Sequence, residues 1–95
     1  DISVKGVKNQ PDGSFIIDGS VTIRDLNRSL SWNLPDQNAN TIAGLVLYES
    51  KTIPEPGQEF RFFDVRFRIL QKKGNFISQL RLWNEAGSNT NNKLN

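Results

Sequence analysis

Between Asp18 and Gly57 the chain carries two helix starts, one nearly all-apolar helix and an abrupt proline stop, and these forty residues restrict the fold more than any others. Thr22 stands before Ile23-Arg24-Asp25-Leu26-Asn27, placed to cap a helix with Asp25 three residues on, a carboxylate variant of the capping box. Ile23, Leu26 and Leu30 fall at i, i+3 and i+7, while Arg24, Asp25 and Arg28 point elsewhere, so this helix buries one stripe. Pro35, in Trp32-Asn33-Leu34-Pro35, is expected to halt it. Asp36-Gln37-Asn38-Ala39-Asn40 reads as a polar connection whose Asn40 or Thr41 caps a second helix over roughly 41 to 50. That helix is apolar around most of its circumference, which implies burial on more than one side. Gly44 inside it costs about 1 kcal/mol relative to Ala and is expected to serve a close backbone approach. Ile53-Pro54-Glu55-Pro56-Gly57 forbids further helix and returns the chain to an extended state at Glu59.

The flanks read as strands. Ile2-Ser3-Val4 alternates, and Pro11-Asp12-Gly13 is a turn signal leading into Ser14-Phe15-Ile16-Ile17, together a loose hairpin that Asp18-Gly19 ends. After Glu59, Phe60-Arg61-Phe62, Val65-Arg66-Phe67-Arg68-Ile69 and Leu80-Arg81-Leu82 alternate, with apolar side chains on one face and arginines on the other. Lys72-Lys73-Gly74-Asn75 is the turn between the last two strands. The order β-β-α-α-β-β-β specifies an α+β domain, two helices packed on one face of a mainly antiparallel sheet. Ninety-five residues enclose one modest core, so a single domain over 1–86 is expected, with residues 87–95 a polar, disordered tail.

Chemistry is scarce. With no cysteine there are no disulfides, thiolate metal sites or cysteine nucleophiles, and with no histidine the usual neutral-pH acid/base is absent. Scattered carboxylates, lysines, one tyrosine and unactivated hydroxyls remain, so neither an enzyme nor a cofactor is expected. No run approaches the roughly 18 apolar residues of a membrane-spanning helix. A net charge of +2 is too small to argue for a polyanion, and no nucleic-acid partner is expected.

Three constellations merit weighing. Asp36-x-Asn38-x-Asn40 matches the opening of a calcium loop, but position six is Thr41 instead of Gly and position twelve is Leu47 instead of Glu, so a solvated interhelix turn is preferred to a metal site. Arg66, Arg68 and Arg81, with Arg61 nearby, share a sheet face that reads as a solvated surface mixed with Glu59 and Asp64, since stacking aromatics are not clearly interleaved there. Trp32 reads as core, whereas Trp83 suits edge packing or partner contact equally.

Asp12-Gly13-Ser14-Phe15, Ile17-Asp18-Gly19, Ile23-x-Asp25-Leu26-Asn27-x-x-Leu30, Leu34-Pro35, Thr41-Ile42-Ala43-Gly44-Leu45-Val46, Ile53-Pro54-x-Pro56-Gly57 and the final arginine-bearing strands together resemble the transporter-associated domain of the CorC/HlyC family, from about Asp12 to Trp83. The resemblance implies a C-terminal cytosolic regulatory appendage of bacterial membrane proteins that carry a transmembrane region and paired CBS domains, described as magnesium/cobalt efflux proteins or hemolysins. It implies a place on the cytoplasmic face of the inner membrane, and CBS and transmembrane partners on the same polypeptide. The family's fold grouping with part of an oxidase FAD-binding domain suggests, as an alternative, an autonomous nucleotide- or flavin-binding module. No glycine-rich phosphate loop supports that alternative here. Asn40 stands where many relatives have an acidic residue before the threonine, which argues against a divalent-cation ligand at that position. The strand from Phe76 to Trp83 bears one charge, Arg81, and is expected to form a poorly blunted sheet edge. That edge, or the face beside Trp83, is expected to contact the CBS region or a second copy in a homodimer.

Overall fold

Each helix begins on a threonine. Thr22 Oγ1 accepts from Asp25 N at 3.1 Å, as expected, and of Asn40 and Thr41 it is Thr41 that caps the second helix, its Oγ1 accepting from Gly44 N at 3.1 Å, at the same Thr-Ile-x-x-Leu sequence. The two starts are also tied to each other. Thr22 and Thr41 make an antiparallel bridge, Ile23 N donates to the Asn40 carbonyl at 2.9 Å, and Ile42 N donates to the Val21 carbonyl at 2.9 Å. From these starts run α1, Ile23–Leu30, and α2, Ile42–Ser50.

The computed structural model describes residues 5–85, so the first strand read at residues 2–4 and the tail at 87–95 lie outside the described residues. Within them the elements follow the expected order: β1, Val7–Asn9; β2, Phe15–Asp18; α1; α2; β3, Glu59–Phe62; β4, Val65–Lys73; and β5, Phe76–Asn84. The N-terminal hairpin therefore uses Val7–Asn9, a segment whose polar residues hid it from pattern reading, with Val7 opposite Ile17.

The five strands form one antiparallel sheet in the order β1-β2-β5-β4-β3. This corrects the expectation that Phe76 to Trp83 is an edge. β2 lies along β5, with Phe15 opposite Leu82 and Ile17 opposite Leu80, because the helices carry the chain across the inner face before β3 to β5 form. Among the described residues β5 is thus the central strand, and the edges are β1 and β3.

Alternation sets the core. Ile17, Phe67, Ile69, Leu80 and Leu82 point inward and are fully buried against Ile23 and Leu26 of α1 and Ile42, Leu45 and Val46 of α2. α2 buries a wide arc, as its composition implied, with Tyr48 its exposed position.

Two local expectations change. α1 stops at Leu30, before Pro35, because Ser31 turns left-handed at φ 58 and donates to the Asn27 carbonyl. The Asn27 side chain then brackets the loop, its Nδ2 donating to the Leu34 carbonyl and its Oδ1 accepting from Leu34 N, both at 2.9 Å. α2 ends where expected, at Ser50, with a left-handed Lys51 as its cap. Gly44 does not make the close backbone approach: a Cβ there would meet its own cap, Thr41 Oγ1, at 3.3 Å. That role falls to Gly19, where a Cβ would lie 1.9 Å from the Ile77 carbonyl oxygen. Gly19 N donates to Ser78 O at 3.0 Å and its own carbonyl accepts from Ala43 N at 3.0 Å, so this glycine joins β5 to the start of α2.

Candidate functional site

The outer face of the sheet collects the charged and aromatic side chains that alternation turns away from the core. Cross-strand register sets Arg61 of β3, Arg66 of β4 and Trp83 of β5 in one row, and Glu59, Arg68 and Arg81 in the next. The half-buried Trp83 ring lies among three guanidiniums: Arg66 Cζ is 4.0 Å from its centroid, Arg68 Cζ 5.2 Å and Arg81 Cζ 5.4 Å. An aromatic is therefore interleaved with the arginines after all. The period-2 reading placed the arginines together, but Trp83 is central only because β5 pairs with β4 in the register that sets it opposite Arg66.

Carboxylates hold each guanidinium in turn. Glu59 accepts from Arg68 Nε at 2.6 Å and lies 3.5 Å from Arg66 Nη1, while Glu85 takes Arg66 Nε at 2.9 Å and Arg61 Nε at 3.2 Å. A second carboxylate of this layer is Glu85. Asp64 sits in the β3–β4 turn, where its carbonyl accepts from Glu85 N at 2.8 Å. Arg68's bond, with the charges of Arg68 and Arg66, holds the Glu59 carboxyl below the usual range against partial desolvation.

Arg81 is anchored separately. Its Nε donates to Ser14 Oγ at 2.8 Å and its Nη2 reaches Asp12 Oδ2 at 3.1 Å, while Ser14 donates from Oγ to Asp12 Oδ1 at 2.6 Å and from its backbone N at 2.9 Å. The Ser14 hydroxyl, then its backbone N–H, with Arg81 adding to them, lower the Asp12 pKa from 3.8 to about 2. Fully buried Ser14 thus locks the β1–β2 turn onto β5. Asp12-Gly13-Ser14 reads as a turn alone, and the Asp-x-Ser spacing that lets a carboxylate cap its own turn is the signal that finds it.

The layer sets four guanidiniums against Glu59, Glu85 and Asp12, with an indole in their midst. The calcium-like residues Asp36, Asn38 and Asn40 lie exposed on the connection between the helices, where the Asn40 carbonyl already accepts from Ile23 N. Among the described residues no three His, Cys, Asp or Glu side chains gather as a metal site requires. A cleft of about 230 Å³ opens where Trp32 and Leu34 face Phe63 and Val65. It is smaller than the roughly 300 to 1,000 Å³ of small-molecule pockets. Trp32 is half-buried there, edge-on to Phe15 at 5.6 Å between centroids, so it packs beside the core.

Residues 8–85 match the model of a family described as a transporter-associated domain, CorC/HlyC. A UPF0053 inner membrane protein of Escherichia coli strain K12, YfjD, is 35% identical over 77 residues, which cover 81% of this chain and 18% of that protein. The crystal structure of a functionally unknown conserved protein from Haemophilus influenzae has a TM-score of 0.79 at 36% identity, covering 82% of this chain and 96% of that one. The transporter-associated domain of a Xylella fastidiosa hemolysin, in complex with Mg++ and Mn++, has a TM-score of 0.73 at 30% identity, covering 83% and 96%. The chain thus spans under a fifth of the membrane-protein relative and nearly all of the two solved structures.

Proposed function

Because this chain belongs to the CorC/HlyC family of transporter-associated domains, we propose that it is the C-terminal cytosolic accessory domain of a CBS-domain ion transporter of the magnesium/cobalt-efflux or hemolysin-like kind. It regulates by contact with the CBS and transmembrane regions of its own polypeptide and carries no catalytic step. The observation that supports this reading best is the outer face, where a half-buried indole lies amid arginines that are themselves bridged to carboxylates. Aromatic residues and arginine are the side chains enriched where protein surfaces meet.

YfjD is an inner membrane protein, and by analogy this domain would sit at the cytoplasmic face of such a membrane. Among the described residues no helix is long and apolar enough to cross one. The transported cation is cargo. The Xylella relative was obtained in complex with Mg++ and Mn++, but the transporter function proposed here needs no cation held by this domain.

A nucleotide- or flavin-binding module fits less well. Helix N-termini hold phosphates through backbone N–H groups left without partners. Here Ile23 and Asp25 of α1, and Ile42, Ala43 and Gly44 of α2, already donate to Asn40, Thr22, Val21, Gly19 and Thr41.

Cation efflux from vesicles containing the complete transporter, with and without Trp83→Glu, tests the reading. Altered flux, while the 95-residue chain bearing the same change keeps its wild-type melt, is expected. Unaltered flux in a correctly inserted variant overturns it.

A further inference from the structure

Among the described residues the sheet ends at β3, which has a strand neighbour, β4, on one side only. Such an edge is a template for another strand, and sheets ordinarily blunt it with very short strands, proline or repelling charge. β1, at the other end, is three residues long with Lys8 at its middle. β3 differs: Glu59 and Arg61, opposite in sign, alternate with the half-buried Phe60 and Phe62.

We propose that β3 pairs with β3 of a second copy about a two-fold axis at Phe60, joining two five-stranded sheets into one of ten strands. Ile69 N donates to the Gln58 carbonyl at 3.0 Å, so Gln58 directs its backbone toward β4, and by alternation so do Phe60 and Phe62. Glu59 and Arg61 then direct theirs toward the open side. Antiparallel self-pairing with the axis at Phe60 sets Glu59 opposite Arg61 of the second copy, and Arg61 opposite its Glu59, in hydrogen-bonded positions. Phe60 meets its own counterpart in the position where side chains approach most closely.

The neighbouring registers that keep the same backbone geometry fail. One sets Glu59 opposite Glu59 and the other Arg61 opposite Arg61, and like charges directly opposite are unfavourable. Existing contacts favour the remaining register. Glu59 stays with Arg68 at 2.6 Å and Arg61 with Glu85 at 3.2 Å, so the new pairs prolong a charge layer already in place. On the inner side Phe60 stacks on Phe62 with centroids 5.9 Å apart, and the second Phe60 extends that row. A four-residue contact is weak by itself and gains force where copies are held at high effective concentration.

Sedimentation velocity of the 95-residue chain over a concentration series tests this, with thermal melts confirming that every variant folds. The solved relatives, of whose chains this domain covers 96%, indicate a unit that folds alone. The expected result is a reversible monomer–dimer equilibrium. Arg61→Glu and Glu59→Arg should each weaken it by at least about tenfold. An equimolar mixture of the two variants should regain it as a heterodimer, since each doubled charge then faces the opposite one. A wild-type chain that stays monomeric up to about 1 mM, the effective concentration a short tether supplies, overturns the proposal. So do variants that dimerise like the wild type, or a mixture that fails to recover. None of these outcomes bears on the contact proposed for the Trp83 face.

Discussion

The two faces of the sheet are built from alternate residues of the same strands, yet they answer to different demands. Phe67, Ile69, Leu80 and Leu82 are sealed beneath the helices, whereas Arg66, Arg68, Arg81 and Trp83 form a layer of ion pairs around one indole. Truncating a sealed residue removes transfer free energy and leaves a cavity, about 2 to 5 kcal/mol for Leu→Ala. An exposed ion pair contributes about 0 to 1 kcal/mol. The inner face accounts for folding, and the outer face is the one proposed for contact.

The seam behind the inner face should be the most sensitive place. Gly19→Ala would set a methyl group against the Ile77 carbonyl, backbone that cannot swing aside, and a loss of about 3 kcal/mol or more is expected in urea unfolding. If Gly19→Ala unfolds like the wild type, the β5–α2 seam is misdrawn. Next comes the direct comparison of faces: Leu80→Ala should cost about 2 to 5 kcal/mol and Arg66→Gln less than about 1 kcal/mol. Equal losses would erase the distinction between the faces.

A third test lies at the end of both faces. Phe63 and Asp64 form the two-residue β3–β4 turn with φ of 57° and 62°, a left-handed pair that asparagine and glycine adopt more readily. Replacing both, Phe63→Asn with Asp64→Gly, is expected to stabilise the chain by about 1 kcal/mol in the same assay. A destabilised double variant would show that the exposed Phe63 ring outweighs the backbone gain.

The smallest effect concerns the anchor of the outer face. The folded pKa of Asp12 is depressed to about 2 from 3.8, so its contribution is complete above the unfolded value and is lost as pH falls through the folded one. Melting temperature against pH should therefore fall less steeply between about pH 4 and pH 2 in Asp12→Asn than in the wild type. Parallel curves would remove Asp12 from the acid response.

What could be read from the chain follows the range of the forces involved. Thr22 and Thr41 cap their own helices three residues away, and the Arg/apolar alternation from Val65 to Ile69 names its faces directly, so both were legible. The central place of β5 was not, because it depends on β2 meeting β5, Phe15 against Leu82, across most of the chain. Gly19 and Gly44 look alike in sequence, and only the carbonyl facing Gly19 separates them. The end of α1 was masked by a conspicuous Pro35, while the left-handed Ser31 that sets it and the Asn27–Leu34 bracket behind it, seven residues apart, leave no pattern. At the outer face the arginines were legible by period, but the indole among them and the buried Ser14 that fixes Arg81 required the cross-strand register.

The central claim, that the outer face is a surface for the rest of the transporter, is tested most directly by hydroxyl-radical footprinting of Trp83 in the isolated chain and in the complete membrane protein. Tyr48, 45% exposed on α2, serves as the internal reference. Trp83 oxidation is expected to fall several-fold in the complete protein while that of Tyr48 holds. Equal Trp83 reactivity in both would contradict it.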